Sequence, residues 1–233
     1  MDFALFNLVG LLFVLRWLHI FFGVIWIGLL YYFNFVHGAF MAEAEASAKP
    51  SVVQKLLPRA LWWFRWGAMY TMITGLTYLM IRAHQMGADF FNNPYGVCIT
   101  LGAGLGLIMW ANVWFVIWPN QKVVIQSATQ VATGGQALPT AANSAARALV
   151  ASRTNVLFSI PMLFFMAASS HLPIMMDENS NLSVMWIILL AVIGALEFNA
   201  LKGKTGPMTT IKGVVHCGFA LTAFFYVVIE IML

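Results

Sequence analysis

Apolar residues gather in six long stretches, at about 10–35, 60–81, 97–118, 155–172, 183–201 and 210–232, with polar residues mostly in the connections. A helix rising ~1.5 Å per residue needs about 20 residues to cross ~30 Å of hydrocarbon, and each stretch meets or approaches that length. A membrane barrel would instead show alternating segments of about 10 residues. The pattern therefore predicts an all-α integral membrane protein, a bundle of about six transmembrane helices forming a single membrane domain over residues 1–233. The fourth stretch is the shortest and contains Pro161. This predicts a kink, with a neighbouring helix taking up the carbonyl that proline leaves free. The first stretch reads as a mature helix rather than a signal peptide, because Asp2 precedes it, its apolar run is long and Arg16 interrupts it.

The connections carry their own signals. Residues 37–58 hold an Ala/Glu run and then Lys49-Pro50-Ser51, which predicts a short helix capped at Ser51. Residues 122–152 read as the longest polar connection, with Gly134-Gly135 and Pro139 followed by an Ala-rich helical stretch from Thr140 to Ser152. Residues 173–182 read as a short acidic turn.

Composition agrees with the pattern. Hydrophobic residues are 61% of the chain and charged residues 9%, too few charges to solvate a soluble domain. The charges also give an orientation. Lys49, Lys55, Arg59 and Arg65 follow the first stretch, Lys122, Arg147 and Arg153 the third, and Lys202, Lys204 and Lys212 the fifth. The alternate connections carry Arg82 with Asp89, then Asp177 and Glu178. Cations collect on the cytoplasmic side of membrane proteins, so both termini are predicted on the external, periplasmic side. The net charge of +4 then reports topology, and no basic patch with interleaved aromatics points to nucleic acid. The two cysteines, Cys98 and Cys217, fall inside predicted spans as packing residues, and no CxxCH motif for a covalent c-type haem occurs.

The chemistry of such a chain resides in the polar groups within its spans. Arg16 and His19, three apart in Arg16-Trp17-Leu18-His19, share one helix face. An arginine in a span costs about 2.5–3.5 kcal/mol on insertion scales and seeks an anion or water. A haem propionate is one such anion, and neutral histidine is a common axial ligand of haem iron. The alternative is that Arg16 snorkels to the headgroups and His19 bonds a neighbouring helix. His171 closes the fourth stretch on the same side, so a His19–His171 pair could straddle a haem, or His171 could be an interfacial histidine. His216 reads as a buried structural histidine, with a second ligand site or a proton path as alternatives; His37 and His84 read as interfacial. Glu197 is expected to pair with Lys202 at a helix end, with a proton-relay role as the sharper alternative. Trp62, Trp63 and Trp118 suit an interface belt, while Trp110 and Trp114 lie deeper and either pack against a helix or wall a cofactor. Gly102-Ala103-Gly104-Leu105-Gly106 follows no strand, which excludes a dinucleotide fingerprint and predicts close helix approach.

Several blocks together resemble the membrane domain of bacterial membrane-bound urate oxidases. These are Arg16-Trp17-Leu18-His19 with Trp26-Ile27-Gly28; Leu57-Pro58 with Trp63-Phe64-Arg65-Trp66; Asn112 through Pro119-Asn120-Gln121-Lys122; and Ser152-Arg153, Asn155, Ser159-Ile160-Pro161 with Ser170-His171-Leu172-Pro173. The resemblance implies a multi-pass redox module in a bacterial inner membrane. Arg16, His19 and His171 would hold or orient haem b, His19 and His171 as iron ligands, and Trp114, Asn112, Asn120 and Gln121 would line the module. In the family this domain is joined to a cytochrome c domain. Here the electron acceptor is expected to be a quinone or a separate cytochrome c. Gly67 stands where the family pattern has an acidic residue and Thr154 where it has a histidine. Neither replacement suits acid–base work or metal ligation, so the resemblance carries cofactor binding better than urate oxidation. The contrasting expectation is a non-catalytic accessory subunit in the bilayer, packed among other subunits of a larger membrane complex.

Overall fold

The computed structural model describes residues 3–233; Asp2 lies outside them. The described residues form helices and connections and no strand. Six helices are long: α1 (Leu8–Glu43), α2 (Leu57–Met86), α3 (Pro94–Ala132), α4 (Ala141–His171), α5 (Leu182–Lys202) and α6 (Ile211–Met232). Five of them are long and apolar enough to cross a membrane. The exception is α2, which has the length at 30 residues but carries Arg59, Arg65, Arg82 and three threonines along it.

Helix starts follow local chemistry. The side chains of Asn7, Asn93, Asn181 and Thr210 each accept a hydrogen bond from the backbone N–H three residues on, so they satisfy donors that a helix N-terminus leaves free. Ser51 makes no such cap. It ends a helical turn, Lys49–Ser51, that passes through a π turn, Val52–Leu56, straight into α2. Two further π turns lie inside long helices, at Tyr32–His37 in α1 and Asn112–Ile117 in α3. Much of the expected polar connection at 122–152 is helical. α3 runs on to Ala132, α4 begins at Ala141, and only the residues between them connect the two. Pro161 sits inside α4, which continues as one helix through it to His171.

The six helices divide into two pairs and a flank. α1 packs along α2, α3 along α4, and α6 along the far side of α4, with α5 joined to α4 and α6. α4 is the central element and buries Thr154, Asn155, Ser159, Phe158 and Phe165. Gly67 has a packing reason. A Cβ there would lie 3.1 Å from Ile25 Cγ2 and 3.2 Å from the Trp26 backbone nitrogen, so glycine lets α2 meet α1 closely. Hydrogen bonds tie the pairs together: Asn34 Nδ2 donates to Ser152 Oγ at 2.8 Å, and the Tyr31 and Ser159 hydroxyls are 2.9 Å apart. The α4–α5 turn closes over the end of α6, where the Asn181 N–H donates to Met232 O at 3.0 Å and the Asp177 N–H to Leu233 O. The helix's last carbonyls thus gain partners.

Candidate cofactor site

His19 projects from α1 toward α2, and its Nδ1 lies 2.9 Å from the Thr71 carbonyl oxygen. A carbonyl only accepts, so Nδ1 carries the proton and the neutral ring's Nε2 keeps its lone pair. Nε2 has no hydrogen-bond partner among the described residues. α2 makes room for the ring with Gly75, where a Cβ would fall 2.6 Å from both His19 Nδ1 and Cε1. An imidazole anchored through one nitrogen, with the other free, is the arrangement of histidines that bind metal.

His19 faces two adjoining cavities between the α1/α2 and α3/α4 pairs. The deeper one has a volume of about 450 Å³ and is almost wholly apolar, walled by Trp26, Met72, Leu76, Gly106 and Met162. The other, about 280 Å³, is polar at its rim, where Arg16, Tyr78, Tyr95, Ser169 and His171 meet. The Arg16 guanidinium donates to the Tyr78 hydroxyl and lies 5.0 Å from that ring's centroid. His19, Ile20, Gly75 and Met166 line both cavities. An apolar chamber with a cationic and phenolic mouth and one free imidazole nitrogen fits the chemistry of a haem, with an apolar macrocycle, two carboxylates and an iron.

The fold brings Arg16, His19 and His171 to this one region. His171 is exposed at the last residue of α4 and lines the outer cavity alone. The other predicted residues gather elsewhere, and none lines either cavity. Asn112, buried at the start of the α3 π turn, donates from Nδ2 to Asn155 Oδ1 and to Glu197 Oε2, each at 3.0 Å. Asn155 Nδ2 in turn donates to Met109 O at 3.0 Å. Glu197 therefore pairs with an amide on α3 instead of Lys202. Asn120 Nδ2 bonds its own helix at Val116 O, 2.8 Å away, and Gln121 follows it, half-buried. Trp114 packs edge-on to Trp66, ring centroids 5.8 Å apart, and Arg65 stacks 3.5 Å over Trp118. Arg153 Nε and Nη1, His37 Nδ1 and the Trp114 indole nitrogen are buried without a hydrogen-bond partner among the described residues. His216 is exposed, contrary to the buried role expected of it, because its position on α6 faces away from α4. Thr154 is fully buried, and its hydroxyl donates to Val150 O of its own helix at 3.0 Å.

Sequence reasoning missed Thr71, Gly75, Tyr78, Tyr95 and Met166. The spacing of Thr71 and Gly75, one helical turn apart, was the available signal for a face shaped around another side chain.

No curated protein and no solved structure matches the chain. The sequence model of one family, described as Urate oxidase N-terminal, matches residues 83–229. That span takes in the Asn112–Lys122 block, the Asn112–Asn155 pairing and His171, while Arg16 and His19 precede it. Covering well over half the chain, and matching a helical bundle of the kind the motifs imply, it shows that this multi-pass membrane protein belongs to the urate oxidase N-terminal family.

Proposed function

We propose that the chain is a membrane-embedded redox protein that holds one haem b between the α1/α2 and α3/α4 pairs and passes electrons to a quinone or a separate cytochrome c. The observation that carries this is His19, tied by Nδ1 to the Thr71 carbonyl at 2.9 Å and free at Nε2 beside an apolar cavity. When bound, haem would supply reversible one-electron chemistry at its iron. The chain's residues do the rest. His19 offers the ligand nitrogen, Thr71 keeps the ring in the right tautomer, and Gly75 leaves it space. Arg16 and Tyr78 at the mouth would neutralise and bond the haem's carboxylates, and the apolar wall would keep water from its iron. In this reading the chain is a single membrane domain in a bacterial inner membrane, with both termini outside and the basic connections inside.

A reduced-minus-oxidised visible spectrum of the purified protein, with pigment extraction, tests the proposal. The expected result is haem b in the native protein and its loss in His19→Ala. A folded native protein without haem sinks the reading. The outcome would then favour a non-catalytic subunit of a larger membrane complex. Two observations support that second reading: Gly67 and Thr154 are both consumed in packing, and only 6% of α1's most apolar window is buried within the chain.

A further inference from the structure

The second axial position has three candidates on α4: Met162, Met166 and His171. We infer that Met166 Sδ is the second ligand, opposite His19, so that the haem is histidine–methionine ligated. This rests on the haem reading above and assigns a residue that the sequence motifs pass over.

Position in the cavities separates the candidates. An iron held by His19 would lie beside the space that His19 lines, and a second ligand would have to reach that same space. Of the residues lining both, only His19 and Met166 carry a metal-ligating side-chain atom; Ile20 and Gly75 do not. They belong to α1 and α4, on opposite sides of the gap between the helix pairs, as two axial ligands must. Met162 lines the deep cavity alone, and its Sδ rests 3.5 Å from where a Cβ on Gly106 would be, against α3. His171 lines the outer cavity alone, exposed at the helix end. Five residues beyond Met166, it lies about 7.5 Å further along the axis at ~1.5 Å per residue. That depth suits a partner for a carboxylate at the mouth.

Met166 is also held in place. A Cβ on Gly102 would stand 3.0 Å from Met166 Cγ and 3.2 Å from its backbone nitrogen. The base of the side chain is thus seated in the notch that Gly102 leaves in α3, which limits its rotamers. A thioether is a soft ligand that favours reduced iron and raises the midpoint potential relative to a second histidine. An apolar chamber pushes the potential the same way, since it disfavours the extra positive charge of oxidised iron.

The test uses the full chain purified with its haem. Met166→Leu keeps the volume and removes the sulfur. The expected result is retained haem, a ferric spectrum changed from low to high spin, loss of the far-red thioether-to-iron band, and new carbon monoxide binding by the reduced form. Met166→His should restore a low-spin spectrum with a lowered midpoint potential. Met162→Leu and His171→Ala should each keep the low-spin spectrum and the far-red band, since neither removes an iron ligand. A Met166→Leu protein that stays low spin with its native potential overturns the assignment, as does loss of the low-spin state in His171→Ala. Haem absent from the folded native protein would overturn the haem reading itself, so the two failures are distinguishable.

Discussion

At the scale of single residues, the candidate site depends on backbone groups as much as on side chains. His19 is useful because Thr71 accepts its Nδ1 proton and because α2 has no Cβ at position 75. Gly75→Ala would put a methyl 2.6 Å from Nδ1 and Cε1, inside contact distance, so the ring must leave its carbonyl partner. We expect Gly75→Ala to lower the haem-to-protein ratio severalfold while helix content stays intact, measured by pigment extraction beside circular dichroism. A native ratio in this variant would show that the ring's seat does not matter. Arg16 and His19 could be singled out from the sequence because an ionisable group within an apolar run is costly and needs a reason. Thr71, Gly75 and Met166 could not, since threonine, glycine and methionine are ordinary in membrane helices and acquire meaning only from what lies across from them.

At the scale of helices, the bundle depends on close approach at some glycines and not at others. On α3, a Cβ at Gly102 would press on Met166 Cγ, Met166 N and Met162 O at 3.0–3.4 Å, whereas at Gly104 nothing lies within 4 Å. Two of those three neighbours are backbone atoms of α4 and cannot rotate away. Gly102→Ala is therefore expected to destabilise the bundle by about 1–3 kcal/mol, the usual cost of overpacking. Gly104→Ala should be neutral or slightly stabilising, as expected where glycine is replaced on an unobstructed helix surface. Unfolding titrations of the two variants in mixed detergent micelles check the contrast, and equal stability would refute it. The π turns belong to this scale too. Each adds a residue without breaking the helix. The turn at Asn112 begins with an amide that bonds Asn155 on α4 and Glu197 on α5, and the turn at Tyr32 contains Asn34, which bonds Ser152. Such widened turns often occur where a side chain must be re-aimed. No composition rule announces them, because their sequences, Tyr32–His37 and Asn112–Ile117, are as apolar and aromatic as the helices around them.

At the scale of the whole molecule, burial is uneven. In the most apolar window of α4, 61% is buried within the chain, against 6% for α1. α4 is the core of the bundle, and α1's most apolar window is mostly half-buried or exposed, while its inner face supplies His19. The charge asymmetry across the connections gives a checkable topology. Cysteine placed at Asn179, in the acidic α4–α5 turn, should react with a membrane-impermeant maleimide in intact cells with an opened outer envelope. Cysteine at Ala137, between α3 and α4, should react only after lysis. The reverse pattern would invert the orientation drawn from the cations.

Hydropathy along the chain was enough for the class, for the number of long helices and for the approximate ends of most of them, because solvation by lipid is a local, additive property of each segment. It also sufficed to mark Arg16 and His19, whose cost in a membrane does not depend on neighbours. Blocks such as Asn112–Lys122 carried the family, since ordered side chains in sequence survive without knowledge of the fold. Which helices pair, where the gap between the pairs opens and what faces His19 depended on packing between residues far apart in the chain. His19 on α1 meets Thr71 and Gly75 of α2 and shares its cavities with Met166 of α4. Contacts of that kind are set by how small and large side chains interlock across helices, a property of pairs of surfaces that no single stretch of sequence contains.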